Sequence, residues 1–116
     1  MKNSPVGFNL PERTIEMISD YCAKNSLRTA EFVSNAMTEY KEDPSKLVDA
    51  VSKRINKAIS EAGQGLEEES TKRTAYRFNP ETCYWLRDVA KRTTLPFDGL
   101  ARIILDDKLT RLEQKP

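Results

Sequence analysis

Histidine is absent from the 116 residues, which removes the commonest general base and the commonest zinc ligand. The two cysteines, Cys22 and Cys83, lie 61 residues apart in apolar-facing positions of helical pattern, where buried reduced thiols are expected rather than a disulfide or a metal site. Neither an enzyme nor a bound metal or cofactor is expected. What remains to do chemistry is charge. Nineteen Lys and Arg against 18 Asp and Glu give a net charge of +1, but the distribution is uneven. Residues 1–43 hold 5 basic and 7 acidic side chains, residues 44–72 hold 5 of each, and residues 73–116 hold 9 against 6. The second half is the expected face for an anionic partner.

Two short stretches of strand pattern must position those charges. Val6, Phe8 and Leu10 alternate with Gly7 and Asn9, and Thr74, Tyr76 and Phe78 alternate with Ala75 and Arg77. Each is followed within two residues by a proline suited to a helix start, Pro11 and Pro80. A strand of about five residues has no stability alone and an isolated hairpin has little, so the two are expected to pair with each other.

Helices are expected from Pro11 to about Asn25, with Ile15, Ile18, Tyr21 and Cys22 on one stripe, and from about Thr29 to Lys41, with Phe32, Val33, Ala36, Met37 and Tyr40 inward. Leu27 is the expected apolar anchor of the turn between them. Asp43 as N-cap and Pro44 at the first helical position open a third helix over 44–62. Its apolar stripe is Leu47, Val48, Val51, Ile55, Ala58, Ile59 and Ala62, with Gly63 at its end. Residues 63–72, which include the acidic run Glu67-Glu68-Glu69, read as a flexible, charged linker. The last helices are expected at about Pro80–Thr93 and Pro96–Leu112. Trp85 and Phe97 are expected to fill the core or to face a partner.

An offset of 68 residues superposes Leu10 on Phe78, Ile18 on Leu86, Cys22 on Ala90, Leu27 on Leu95, Phe32 on Leu100 and Met37 on Leu105, an internal repeat of one strand and two helices. The expected division is a first unit over 1–43, a helix and linker over 44–72, and a second unit over 73–116. A helix over 44–62 is about 28 Å long, and ten extended residues reach about 33–36 Å. The chain can therefore return and lay its second strand antiparallel to the first. No apolar run approaches the roughly 18 residues of a membrane span, and the polar opening Met1–Pro5 is unlike a signal peptide; the expected location is the cytoplasm.

The patterns Val6-x-Phe8-x-Leu10-Pro11-Glu12, Ile18-x-x-Tyr21-Cys22-Ala23-Lys24-Asn25-Ser26-Leu27 and Phe32-Val33-x-x-Ala36-Met37-x-x-Tyr40 are followed by their counterparts Thr74-x-Tyr76-x-Phe78-Asn79-Pro80, Leu86-x-x-Val89-Ala90-Lys91-Arg92 and Leu100-x-x-x-Ile104-Leu105. Together they resemble the ribbon-helix-helix superfamily of bacterial, plasmid and phage DNA-binding proteins (Arc, MetJ and CopG types). The fusion of two units in one chain resembles TraY-like conjugation accessory proteins. The resemblance implies a mainly α fold with a short two-stranded antiparallel ribbon, a tandem ribbon-helix-helix forming an intramolecular pseudo-dimer, plus an extra linking helix.

It also implies sequence-specific binding of double-stranded DNA, with the ribbon in the major groove. The role implied is that of a transcriptional regulator (a repressor) or a plasmid or phage DNA-processing accessory factor. Its outward, base-reading positions fall on Gly7, Asn9, Arg73, Ala75 and Arg77, with Pro5 beside them. Arginine forks suit guanine and Asn9 suits adenine, while Pro5, Gly7 and Ala75 offer no side-chain hydrogen bond. Its phosphate clamps at the second helix of each unit fall on Ser26, Arg28, Thr29 and Thr94. Arg28 and Pro96 stand where the family often has serine or threonine, and the DNA-facing surface is expected to be strong in the second unit and weak in the first. The helix over 44–62 packs within the chain or forms the seam of a homodimer. The alternative is a ribbon-helix-helix derivative that acts as a protein-interaction module, for instance an inhibitor of a host protein, a reading to which the near-neutral charge and the poor first strand belong.

Overall fold

The computed structural model describes residues 3–65 and 69–114. Among these the chain forms β1 (Ser4–Pro11), α1 (Glu12–Lys24), α2 (Thr29–Glu42), α3 (Pro44–Ser60), β2 (Thr71–Phe78), α4 (Pro80–Thr93) and α5 (Phe97–Glu113). The fold is mainly helical, with one two-stranded antiparallel sheet. None of these helices is long and apolar enough to cross a membrane.

The alternation in β1 and β2 gives the ribbon one buried face. Val6, Phe8, Leu10, Tyr76 and Phe78 are buried. The rings of Phe8 and Phe78 stack with centroids 6.0 Å apart, and Phe97 of α5 stacks on Phe8 at 5.3 Å. Helices cover that face. Ile18 and Cys22 of α1, Phe32, Val33, Ala36, Met37 and Tyr40 of α2, Leu86 and Ala90 of α4, and Leu100, Ala101, Ile104, Leu105 and Leu109 of α5 complete the core. Trp85 and Phe97 are half-buried against it. Cys22 is buried and its thiol is pushed up by burial, which keeps it unreactive. Cys83 is only half-buried, less than its helical position suggests.

The ribbon is longer than the alternation alone indicates, because each strand runs eight residues. Pairing of Leu10 with Lys72 and of Pro11 with Thr71 recruits two residues expected in the linker. The Glu12 N–H donates to the Ser70 carbonyl at 3.0 Å and continues the ladder past its end. Thus 71–72 belong to a strand, the expected boundary at 72/73 falls within β2, and α1 begins after Pro11. Of the acidic run, Glu67 and Glu68 lie outside the described residues. Glu69 is described and is an ion-pair partner of Arg13 at 3.5 Å and of Arg102 at 2.6 Å.

The repeat extends to the backbone. Ser26 and Thr94, 68 positions apart, both take left-handed φ, 55° and 57°. The next N–H in each case turns back to the preceding helix, Leu27 to Cys22 at 2.9 Å and Leu95 to Ala90 at 3.1 Å. Leu27 nonetheless stays 38% exposed, because this turn lies at the surface. A threonine at the third position of α1 and of α4, Thr14 and Thr82, is buried in each. The Thr14 hydroxyl donates to Asp106 of α5 at 2.8 Å, which satisfies a polar group inside the core.

Asp43 caps α3 as its spacing predicts, accepting from the Lys46 N–H at 3.3 Å and the Ser45 hydroxyl at 3.0 Å. The hydrogen bond from Ser45 comes first among the causes that hold its carboxyl below the ordinary value. The stripe along α3 is used only in part. Leu47 and Ala50 are buried, whereas Val48, Ile55 and Ile59 are 65%, 49% and 68% exposed. The first two turns are anchored by polar contacts as well. Glu39 of α2 accepts from Lys46 at 3.1 Å and from Lys108 of α5 at 2.8 Å. Asp49 of α3 accepts from Arg111 at 2.9 Å. Arg111 also donates to Asp107 at 2.7 Å, and Asp107 accepts from the buried Tyr40 hydroxyl. Val51 is half-buried against the core, and beyond it the helix leaves the core.

Candidate functional site

Antiparallel pairing puts directly opposed residues on the same face. The register opposes Pro5 to Arg77, Gly7 to Ala75 and Asn9 to Arg73, and these six form the outer face of the ribbon. All are exposed except Gly7, which is half-buried. The five sequence-derived base-reading positions therefore come together on one solvent-facing surface. Neither Arg73 nor Arg77 has an ion-pair partner among the described residues. Four residues of strand separate them by about 13 Å.

Gly7 has a structural use that its lack of a side chain conceals. The guanidinium of Arg73 lies diagonally across the ribbon over it, and a Cβ built on Gly7 would fall 2.5 Å from the Nη2 of Arg73. The bare backbone is the seat of the arginine. Gly7 and Ala75 are also 68 residues apart, so the opposed pair at the centre of this face is itself a repeat pair. Under that offset Pro5 corresponds to Arg73 and Asn9 to Arg77. The two arginines therefore stand at opposite ends of the face, Arg73 beside Asn9 and Arg77 beside Pro5. The expected division into a strong and a weak unit becomes a difference between two ends.

Asn9 is not free. Its Nδ2 donates to Asp98 at 3.2 Å, in the first turn of α5. A carboxylate there satisfies the positive end of the helix dipole and opposes a second anion. Above the start of α5 the Arg87 guanidinium lies 4.6 Å from the Phe97 ring centre, so Arg87, Phe97, Phe8 and Phe78 form a continuous stack. Of the expected phosphate positions, Thr94 donates its hydroxyl to the adjacent Thr93 carbonyl at 2.6 Å. Pro96, as N-cap of α5, contributes no side-chain bond.

The start of α2 is different. Arg28 is its N-cap in extended conformation, with no side-chain cap. Ser26, Arg28 and Thr29 are all exposed, and the residue at the position matching Asp98 is Ala30. Glu31 is the acidic residue of that first turn. Helix α2 packs on β2 and α5 packs on β1, so each second helix serves the strand of the other half. Asp98 and Arg87 were not among the sequence-derived candidates. An acidic residue in the first turn of a helix is a readable signal for Asp98, but its contact with Asn9 joins residues 89 apart and has no local signature. Comparison with protein-family models, with curated proteins and with solved structures finds no match for this chain.

Proposed function

We propose that this chain is a tandem ribbon-helix-helix protein, an intramolecular pseudo-dimer, that binds double-stranded DNA by laying its β-ribbon in the major groove. It acts as a transcriptional regulator, a repressor, or as a plasmid or phage DNA-processing accessory factor. The observation that carries this reading is the outer face of the ribbon, where Arg73 and Arg77 stand exposed and, among the described residues, without carboxylate partners, while the opposite face is buried. The major groove, about 12 Å wide, admits such a ribbon. A spacing of about 13 Å matches about four base-pair rises, so each arginine fork meets a different base pair. The 68-residue repeat through Ser26/Thr94 and Gly7/Ala75 and the crossed packing of α2 on β2 and α5 on β1 support the pseudo-dimer.

Because Arg73 has Asn9 beside it and Arg77 has Pro5, the two ends read unlike half-sites, and the target is an imperfect palindrome. The test is a gel shift on DNA flanking the gene, at low salt. Replacing Arg73 and Arg77 with alanine removes two bidentate contacts of about 1–3 kcal/mol each, a loss of at least about 30-fold, with the helical circular dichroism unchanged. A wild-type protein that leaves this DNA unshifted ends the reading. The alternative then stands, a protein-interaction module built on the same fold, which the Asp98 carboxylate on the ribbon face and the engaged Asn9 favour.

A further inference from the structure

Past Val51, α3 is amphipathic in reverse. Arg54 and Lys57 line the cavities between the helix and the body of the molecule, while Ile55 and Ile59, like Val48 before them, face solvent. At about 100° per residue, Ser45, Val48, Ser52, Ile55, Asn56 and Ile59 share an arc of about 100° on the side of the helix opposite the buried Leu47 and Ala50. All six are exposed. None is charged, and the five charged side chains of α3 lie outside the arc. The solvent side of a surface helix is ordinarily where its charges stand. An exposed apolar strip cleared of charge has instead the composition of an interface core.

The arc also indicates what covers it. It holds no cation for a nucleic acid and no anion for a basic surface, so a charged partner would leave its charges unpaired there. A second copy of this chain brings the same uncharged strip and leaves no charge desolvated. Val48, Ser52, Ile55 and Ile59 follow one another at four, three and four residues, the spacing of a coiled-coil seam. Antiparallel pairing about a twofold axis sets Val48 against the second copy's Ile59 and Ser52 against the second copy's Ile55. On the flanks Asp49 meets the second copy's Asn56 and Val51 the second copy's Ala58, so no like charges are opposed. Because the body is attached through Leu47 and Ala50 in the first half of α3, this orientation also keeps the two bodies at opposite ends of the seam. The seam is about 17 Å long and hides on the order of 1,000 Å² over both copies, the lower edge of specific interfaces. The dimer should be weak, with a Kd of about 10–100 µM. We propose that the solvent face of α3 is a self-association surface through which two copies of this chain pair antiparallel. It is separate from the ribbon face and does not depend on the DNA reading.

The test is sedimentation equilibrium of the full chain from about 1 µM to about 500 µM, a range that brackets this Kd, with a reductant present to keep the free Cys22 and Cys83 from cross-linking. The mass of wild type is expected to rise from 13.3 kDa toward twice that value. I55K/I59K changes two exposed positions; it should keep the Tm of the monomer and stay monomeric throughout. I55A/I59A adds no charge and should weaken the pair at least about tenfold through lost apolar burial. Asn56 reports the orientation. N56K should tighten the dimer and N56D loosen it, each by about two- to fivefold, because position 56 meets Asp49 only in the antiparallel pair. The proposal is overturned if wild type stays monomeric across the range, if I55K/I59K or I55A/I59A pairs as wild type does, or if N56K and N56D act alike. A monomeric wild type that binds anionic vesicles, with binding lost in I55K/I59K, overturns it as well, since the strip then faces a lipid surface.

Discussion

The substitution Asp98→Asn separates the fold from the proposed function, because it moves the two in opposite directions. Asp98 is half-buried in the first turn of α5 and accepts from Asn9 at 3.2 Å. Asparagine preserves shape and leaves an amide oxygen for that bond, so the change is one of charge. A carboxylate at a helix N-terminus is worth about 0.3–1 kcal/mol, so D98N should unfold about 1–4 °C below wild type. On DNA the sign reverses. A phosphate about 6 Å from the carboxylate is repelled by about 0.7 kcal/mol at the dielectric constant of water and by about 2.8 kcal/mol at an effective value of 20. Removing the charge should tighten binding by between threefold and a hundredfold, and free N–H groups at the start of α5 become available to a phosphate.

The assay is fluorescence anisotropy of a labelled duplex carrying the gene's upstream region, repeated over a salt series. The tightening should shrink as salt rises, because screening acts on partly exposed charges. If D98N binds no more tightly than wild type at low salt while its Tm falls as expected, α5 does not approach a phosphate. The orientation of the ribbon on DNA would then be refuted.

Three further outcomes follow from the same geometry. Gly7→Val places a side chain where the Arg73 guanidinium lies; the arginine is a flexible side chain that can swing out to solvent and leave the outward strand position to valine, so Tm should hold while specific affinity falls about tenfold, read by the same anisotropy assay. Tyr40→Phe removes a buried hydroxyl that donates to the Asp107 carboxylate; a bond to a charged group is worth about 1.5–3 kcal/mol, to be seen as a lowered urea midpoint at unchanged m. Burial would raise the Glu39 carboxyl, but hydrogen bonds and charges from Lys108 and Lys46 outweigh it and leave the carboxyl below its ordinary value of 4.5. A depressed carboxyl contributes stability above its unfolded value and loses it as pH falls through the folded one. Glu39→Gln should therefore cost stability at neutral pH and narrow its gap to wild type as pH falls below about 4.5, as urea titrations across that range would record.

Much of the architecture is local and can be read from the chain. Alternation at 6–10 and 74–78 fixes which ribbon face is buried, the cap at Asp43 marks a helix start that the structure realises through a side-chain bond from the Lys46 N–H, and Pro80 marks another, at which the structure adds a cap by Asn79 that accepts from the Glu81 N–H. Strand length is not local. Thr71 and Lys72 carry no strand pattern of their own and are ordered by pairing with Pro11 and Leu10. The stripe of α3 likewise states which residues are apolar but not which meet a partner. Its burial ends at Val51 because the polar anchors Lys46 and Asp49 hold only its first turns.

The outer face shows why a repeat in the backbone does not make a repeat in the site. Inward positions are constrained by the core, so substitutions across the 68-residue offset exchange one apolar residue for another, as with Leu10 and Phe78 or Ile18 and Leu86. Outward positions meet only water or a ligand, and there the offset pairs Pro5 with Arg73 and Asn9 with Arg77. Gly7 limits that freedom at the centre of the face, since Arg73 needs its bare backbone. The asymmetry thus lies in side chains that the fold does not require. On the DNA reading, Pro5→Arg adds the missing fork beside Arg77 and should shift preference toward a symmetric operator with little change in Tm; binding-site selection on randomised duplexes that returned the wild-type preference would show that position 5 reads no base.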